Sequence, residues 1–415
     1  MRRARIGRPR IEPSRRPPRV GFGERLIPAV RAQAAAPLLI VLPTPGGDGL
    51  GSVSVAGLPL ARRVALAAGR AGFGDVVTAG QTGHQRESPS DSLSSADWAA
   101  TSAAPRRIVA LDGRVVPGPA WLRALSTLPL QPETLYVDDG AAAVIDTEEP
   151  ERVLAAAASS RGTDQLAQAL GRDVPVVRRR LEPAGRFALG GTNDVPAAET
   201  WLLRGLIKPS EGFMSRHVER RISLAVTRRL FDTSITPNMM TLVSVGIGLA
   251  GGLCFLVATS AWQTIGALLF LTHSILDGCD GELARLKFLE SRWGAVLDFW
   301  GDNLVHVVVF ASMAIGWSVA GGGGWPLVFG AVTIASALAT ATLSARRFIG
   351  GETASAASPA GRLAEALSHR DFIYLIVALA VFGKAHWFLI IAAVGTPSFL
   401  LLFLLASRTR PTAHP

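Results

Sequence analysis

The stretch DGCDGELARLKFLESRWGAVLDFWGD, Asp277 to Asp302, decides how this 415-residue chain is interpreted, because it places four aspartates among segments apolar enough to cross a membrane. Asp277 and Asp280 are three residues apart, and Asp298 and Asp302 are four apart, so each pair lies on one face of a helix. The basic turn RLKFLESR between the pairs is short enough to make the two helices antiparallel neighbours. The four carboxylates are therefore expected to converge near one end of a helical bundle.

Carboxylates gathered in this way need a compensating charge. Four unpaired carboxylates would repel one another and be costly to desolvate, so each would either take up a proton or bind a cation. Hard oxygen ligands suit magnesium, manganese or calcium, and two such ions can clamp a diphosphate. Two alternatives stay open on spacing alone: a cation- or proton-coupled transporter that uses the same carboxylates, and structural salt bridges with the neighbouring basic residues.

The order of residues in the stretch narrows these alternatives. Asp-x2-Asp-Gly-x2-Ala-Arg-x8-Gly-x3-Asp-x3-Asp resembles, at every defined position, the signature of the CDP-alcohol phosphotransferase family. The resemblance covers about 209 to 408, half of the chain. It implies displacement of CMP from a CDP-linked donor by an alcohol hydroxyl at the membrane surface, in phospholipid biosynthesis.

The resemblance also implies roles for individual residues. Asp277, Asp280 and Asp298 look like ligands of a two-ion Mg²⁺ or Mn²⁺ site, and Asp302 resembles the residue that approaches both metals and takes the proton from the attacking hydroxyl. A phosphatidyl group is the expected cargo, and the alternative is a CDP-polyol donor such as CDP-inositol with a polyol phosphate acceptor. The positions expected to contact the CDP moiety are Gly281, Ala284, Arg285 and Gly294.

Four further residues are candidates for phosphate contacts. Asn238 and Thr241 begin the first apolar span, where Pro237-Asn238 is also an ordinary helix start. Arg346 and Arg347 end the fourth span and could hold a phosphate of the acceptor, although anchoring at lipid headgroups is the favoured reading.

The remaining side chains capable of metal or redox chemistry are assigned packing roles. Cys254 and Cys279 both fall in apolar segments, so neither a disulfide framework nor a cysteine-based zinc site is expected. His273 and His306 each lie four residues from a motif aspartate, but a histidine in a bundle is more often a hydrogen-bonded packing residue than a ligand.

Composition divides the chain into two halves. The mean hydropathy of +0.32 is high for a soluble protein and indicates that about half of the chain is embedded. The net charge of +10 is nearly all arginine, and the arginines crowd the edges of apolar segments, which favours anionic membrane lipids over nucleic acid as partners. Residues 1–36 are predicted to be a disordered basic tail.

The membrane half, 236–408, is predicted to be an all-α bundle of six transmembrane helices. Its arginine-rich connections alternate with connections that carry a single lysine, so the positive-inside rule places both chain ends and the active site on the cytoplasmic side of a bacterial-type inner membrane. A linker at 201–235 includes an amphipathic helix expected in the cytoplasmic interface, and family members are commonly homodimers. The six predicted spans are about 239–259, 262–284, 295–319, 325–345, 371–386 and 387–406.

The first half predicts an α/β domain over 37–200. PLLIVLP, DVVTAG, RRIVALDG and TLYVDDG have strand patterns, LPLARRVALAAGRAG and PAWLRAL have helix patterns, and 81–98 is polar enough for a loop. The glycine-rich loop after the first strand resembles that of sugar-nucleotide-type nucleotidyltransferases, but it has no basic residue before Arg62 to meet a triphosphate. A degenerate, Rossmann-type domain with a scaffolding or regulatory role is expected, with an active cytidylyltransferase as the alternative, in which Asp112 would be a metal ligand.

Overall fold

The chain is described by a computed structural model over 36–44, 53–79, 106–182, 184–207, 218–349 and 372–408. Several predicted features therefore fall outside the described residues. These are nearly all of the basic tail, most of the glycine-rich loop, the polar segment at 81–98, the first part of the amphipathic segment and the arginine-rich connection at 350–371.

A six-stranded mixed sheet forms the centre of the N-terminal region, in the order β4-β1-β5-β8-β7-β9. Strands β4, β1 and β5 run parallel, whereas β8 runs antiparallel to both of its neighbours. Two short pairs, β2 with β3 and β6 with β10, complete the strands. The strands are Leu38–Leu42, Ser54–Val55, Leu58–Pro59, Asp75–Thr78, Arg106–Asp112, Val115–Pro117, Leu135–Asp138, Ala142–Thr147, Val176–Arg178 and Arg186–Ala188, numbered β1 to β10.

Helices cover both faces of this sheet, which explains why its inner strands are continuous apolar runs such as LLIVL in β1. Helices α1 and α2 share one buried cluster with the sheet, and α3 and α4 share the other. The predicted α/β region is thus confirmed, with a mixed sheet, while its likeness to nucleotidyltransferases stays a prediction. In the described part of this region the helices are Leu60–Ala71, Pro119–Thr127, Pro150–Ser159, Thr163–Leu170 and Val195–Arg204, numbered α1 to α5.

The C-terminal region is helical. Among the residues that the structure describes, helix α6 precedes six further helices, and four of these are long and apolar enough to cross a membrane, namely α7, α9, α10 and α12. Helix α8 carries many polar residues and α11 has only 10 residues, so the predicted six-span bundle is not confirmed. The bounds of α6 to α12 are Arg220–Leu230, Pro237–Cys254, Ser260–Lys287, Arg292–Trp317, Trp325–Ile349, Phe372–Val381 and Ala385–Arg408.

The surface of this helical region is apolar. Among the described residues, the exposed large hydrophobic side chains all lie from Val218 onward, with Val177 as the exception. Leu242 on α7 is 60% exposed, and Trp293 at the start of α9 is 82% exposed. Soluble proteins rarely expose apolar patches of this extent, so this surface is suited to lipid.

Glycines bring the C-terminal end of α7 and the N-terminal end of α8 close together, at the end of these helices away from the aspartates. A Cβ atom added at Gly251 would lie 2.9 Å from the carbonyl oxygen of Gly266, and one at Gly266 would lie 2.7 Å from the carbonyl oxygen of Gly251. Larger residues would force the two backbones apart, as at other close helix crossings in membranes.

The α/β region packs against the end of α8 that carries the aspartates. The turn of the β2–β3 hairpin approaches the backbone after α6, where a Cβ at Gly57 would lie 2.1 Å from the carbonyl oxygen of Phe231. Arg63 holds this hairpin by donating to the carbonyl oxygens of Val55 and Ala56. Burial lowers the pKa of the Arg63 guanidinium to about 10, with the charge of Glu199 acting in the opposite direction.

Candidate metal and substrate site

Three of the predicted aspartates meet where α8 and α9 face each other. One carboxylate oxygen from each of Asp277, Asp280 and Asp298 lies within 4.8 Å of the others. The approach follows from the short turn between the helices, after which Ser291 caps α9 by accepting a hydrogen bond from the N–H of Gly294 at 2.9 Å.

This group of carboxylates fits a divalent cation. Asp277 and Asp280 are only 7% and 6% exposed, so their charges are poorly compensated by water. One carboxylate oxygen of Asp298 is buried and has no hydrogen-bond partner among the residues that the structure describes. Closely spaced carboxylate oxygens of this kind are the ligands that Mg²⁺, Mn²⁺ and Ca²⁺ prefer.

Asp302 lies one turn beyond Asp298 on α9 and outside that group of three. Its Oδ1 is 3.4 Å from Nε2 of His273, a residue of α8 that is 2% exposed. The other ring nitrogen of His273 is 3.0 Å from the carbonyl oxygen of Ser244 on α7. His273 thus positions the carboxylate of Asp302, a role that the position of His273 in the sequence did not predict.

A cleft opens beside the three aspartates, and it collects the residues predicted to contact CDP. Two of the aspartates, Asp280 and Asp298, contribute to its wall. The predicted residues on the same wall are Asn238, Thr241, Gly281, Ala284, Arg285 and Gly294, and the turn before α9 adds Leu289, Glu290 and Ser291.

Thr241 joins the first membrane helix to this site, because its hydroxyl donates to Oδ2 of Asp280. Helix α7 begins at Pro237, and its cap Thr236 accepts a hydrogen bond from the N–H of Met239 at 3.3 Å. A threonine one turn into the helix therefore faces α8. The structure places Thr241 as a support of an aspartate as well as a cleft residue.

Three other predicted site residues either lie away from the cleft or are not described by the structure. Arg346, at the end of α10, is exposed and does not line the cleft, and the side chain of Arg347 lies outside the described residues. In the α/β region, Asp112 is 1% exposed and accepts hydrogen bonds from the N–H of Arg114 at 3.0 Å and from its Nε at 3.1 Å. Its carboxylate is thus engaged in its own turn, and a metal role stays a prediction.

A buried carboxylate in the motif, Glu282, was missed by the sequence reasoning. It is 0% exposed and accepts three hydrogen bonds from α6: Nη1 of Arg220 at 2.6 Å, Oγ of Ser223 at 2.7 Å and Oγ1 of Thr227 at 2.6 Å. The spacing of these donors by three and four puts them on one face of α6. Helix α6 therefore turns a polar face to α8, whereas its apolar Ile222 is 45% exposed.

His306 and Cys279 occupy packing positions. The ring of His306 lies 5.6 Å from that of Phe270 and 6.2 Å from that of Phe310, measured between centroids. Cys279 is 0% exposed and belongs to the apolar cluster beneath the α/β region.

Comparison with known proteins assigns the helical region to a family. Residues 234–399 match the CDP-alcohol phosphatidyltransferase family. The chain thus contains a domain of this family, and the described site lies within it.

Relatives of known name match part of the chain. The chain is 36% identical over 122 residues to the bifunctional IPC transferase and DIPP synthase of Thermococcus kodakarensis, which is 29% of this chain and 27% of that one. It is 29% identical over 101 residues to the phosphatidylinositol phosphate synthase of Mycobacterium bovis, covering 24% and 46% of the two chains. The matches span only 24% to 32% of the length of four bifunctional relatives.

A solved structure also aligns with the chain. The crystal structure of Mycobacterium tuberculosis phosphatidylinositol phosphate synthase with CDP-DAG bound has 20% sequence identity and a TM-score of 0.35, covering 47% of this chain and 98% of that one. The family match and the names of the two sequence relatives support the prediction of a transferase enzyme.

Proposed function

We propose that this chain is a membrane phosphotransferase that moves a phosphoalcohol group from a CDP-linked donor to an acceptor hydroxyl and releases CMP. The observation that carries the proposal is the set of three carboxylates within 4.8 Å of one another, two of which line a cleft that also holds the small residues and the arginine of the motif. A transporter would need carboxylates along a path, whereas these three converge at one place beside a cleft.

The residues in and beside the cleft have different roles in binding the metal ions and the donor. Asp277, Asp280 and Asp298 would hold Mg²⁺ or Mn²⁺, which when bound neutralises the diphosphate and stabilises the leaving CMP. Arg285 supplies a fixed positive charge for a phosphate oxygen. Gly281 leaves the approach open, since a Cβ there would lie 3.2 Å from Nη1 of Arg285.

Asp302 is the base of the proposed reaction. The acceptor oxygen bonds to the phosphorus that carries the donor alcohol, and its proton passes to the Asp302 carboxylate. The bond from that phosphorus to the bridging oxygen breaks, and the oxygen leaves with CMP. His273, 3.4 Å from Oδ1 of Asp302, holds the carboxylate in place.

The rim of the cleft favours a lipid donor, CDP-diacylglycerol, over a soluble CDP-polyol. Leu289, which lines the cleft, is 49% exposed, and Met239 and Trp293, the sequence neighbours of the lining residues Asn238 and Gly294, are 51% and 82% exposed. Acyl chains could continue from the cleft along this apolar surface, whereas a polyol would leave it in water. One relative named above is a phosphatidylinositol phosphate synthase, which supports a polyol or polyol phosphate as the acceptor.

The proposed setting is the bacterial-type inner membrane, with the cleft and the α/β region on the cytoplasmic side. The asymmetric distribution of arginine among the connections supports this orientation. Anionic lipids would meet the basic edge of the helices, and a homodimer is the expected assembly.

The deciding experiment is release of CMP by the full chain in liposomes with Mg²⁺ or Mn²⁺. CDP-diacylglycerol and CDP-inositol are offered separately, each with a panel of alcohols and polyol phosphates. We expect acceptor-dependent release that chelation abolishes and that Asp302→Asn lowers by at least about 10²-fold. The matched control is Asp232→Asn, because Asp232 is exposed and does not line the cleft.

Each outcome has a consequence. Release from CDP-diacylglycerol alone supports the lipid donor, and release from CDP-inositol alone shifts the assignment to a polyol donor. Equal loss in both aspartate variants contradicts the role given to Asp302. If neither donor yields CMP while the protein carries cations across the liposome membrane, the transporter is the better explanation.

A further inference from the structure

The turn between the two aspartate helices is held by the α/β region rather than by the membrane helices alone. Phe288 ends α8 in the left-handed conformation, with φ of 59° and ψ of 34°. This position usually carries glycine, because a side chain there is strained. The N–H of Leu289 bonds back to the carbonyl oxygen of Ala284 at 2.8 Å and closes the helix end.

The ring of Phe288 finds its contacts in the α/β region. The guanidinium of Arg70 lies 4.6 Å from the ring centroid, and that of Arg63 lies 5.6 Å from it, both within the range of cation–π contacts. Phe288 also packs against the buried cluster that helix α1 shares with the sheet. A strained residue of the membrane domain is therefore stabilised by two arginines of α1.

The same helix holds a second residue of the turn. Arg70 forms an ion pair with Glu290, two residues after Phe288. Glu290 and its neighbour Leu289 line the cleft beside Asp280 and Asp298. One helix of the α/β region thus contacts the residues that close one wall of the donor cleft.

We propose that the α/β region is a positioning element of the donor cleft, acting through Arg63 and Arg70 on the Phe288–Glu290 turn. With respect to catalysis this rests on the proposed function, since the wall that is positioned is the wall that would hold the CDP-linked donor. Phe288 and Arg70 are positioning residues, because they act on the cleft through the turn. This gives the α/β region a use that needs no nucleotidyltransferase activity of its own.

The test compares Phe288→Ala, Arg70→Ala and Phe288→Tyr with the natural chain, all as full-length protein in liposomes. We expect both alanine variants to raise the KM for the donor by roughly three- to tenfold while kcat at saturating donor changes little. Phe288→Tyr keeps the ring and should restore the natural KM. Arg62→Ala is the matched control, because Arg62 is exposed on the same helix.

A second readout does not depend on the reaction. Hydrogen exchange of the backbone at 288–292 should become faster in both alanine variants and stay unchanged in Phe288→Tyr and Arg62→Ala. If the natural chain releases no CMP, the proposed function fails while the exchange rates still decide whether the turn is held. Unchanged exchange and unchanged KM in Arg70→Ala and Phe288→Ala would overturn the inference, as would a uniform fall of kcat without a change in KM.

Discussion

Thr241 shows how a single hydroxyl supports the proposed metal site. Its Oγ1 donates to Oδ2 of Asp280, and Asp280 contributes a carboxylate oxygen to the group of three on α8 and α9. Such partners orient metal ligands, and their loss commonly costs 10- to 100-fold in metal affinity. We expect Thr241→Val to raise the Mn²⁺ concentration at half-maximal CMP release by about 10- to 100-fold.

The isosteric valine keeps the packing of Thr241, so the effect isolates the hydroxyl. Thr241→Ser retains the donor and should stay within about threefold of the natural chain. A valine variant with an unchanged metal requirement would show that Asp280 needs no partner on α7. Direct Mn²⁺ binding to both variants separates this result from any change in the chemical step.

Residues whose chemistry depends on spacing along one helix could be predicted from the sequence. Asp277 and Asp280 were placed together with Asp298 by periodicity and a short turn, and the structure brings the three carboxylates within 4.8 Å. Glu282 could not be predicted in the same way, because its three donors belong to a helix more than 50 residues earlier. The role of Phe288 could not be predicted for a related reason, because only its contacts with α1 explain why a large residue adopts the left-handed conformation.

At the scale of elements, Glu282 couples helix α6 to helix α8. Its buried carboxylate accepts hydrogen bonds from Arg220, Ser223 and Thr227, and removing the acceptor takes its paired carboxylate away from a largely buried guanidinium. We expect Glu282→Ala to lower the free energy of unfolding by about 3–5 kcal/mol. The measurement is the thermal midpoint of the full chain in detergent.

Two variants define what that loss means. Arg221→Ala changes an exposed neighbour on α6 and should leave the midpoint unchanged. Glu282→Met combined with Arg220→Met should recover part of the loss, because a paired replacement leaves no uncompensated buried charge. If Glu282→Ala has the same thermal midpoint as Arg221→Ala, the hydrogen bonds of Glu282 do not stabilise the packing of α6 against α8.

The elements of the α/β region were predictable to the extent that each follows its own local pattern. Strand β1 was expected within 37–43 and lies at Leu38–Leu42, and helix α1 lies within the predicted LPLARRVALAAGRAG. The antiparallel insertion of β8 was not foreseen, because strand order depends on connections between elements rather than on their periodicity. The packing of α6 was also not predicted. Its apolar residues suggested a helix in the membrane interface, yet the residues that it buries are Ser223 and Thr227.

At the scale of the whole molecule, the two halves are in contact beside the aspartate helices. The α/β region contacts the turn of the aspartate helices through α1 and the backbone after α6 through the β2–β3 hairpin. Composition predicted two halves of different character, and the exposed apolar surface of the described residues begins near Val218. It carried no information on their contact, which depends on individual side chains such as Phe288.

The last prediction concerns the orientation of the whole molecule in the membrane. The α/β region and the aspartate turn lie at one end of the helices, whereas the connections at 255–259, 318–324 and 382–384 lie at the other end. The basic turn between α8 and α9 is on the first side. A cysteine introduced at Gly324 should therefore react with a membrane-impermeant maleimide in intact bacterial cells, and one at Arg172 should react only after permeabilisation. Both positions are exposed, the background carries Cys254→Ala, and the natural Cys279 is 0% exposed and stays protected. Labelling of the Arg172 position in intact cells would contradict this orientation. The donor cleft would then lie outside the cell, where a CDP-linked substrate made in the cytoplasm could not reach it.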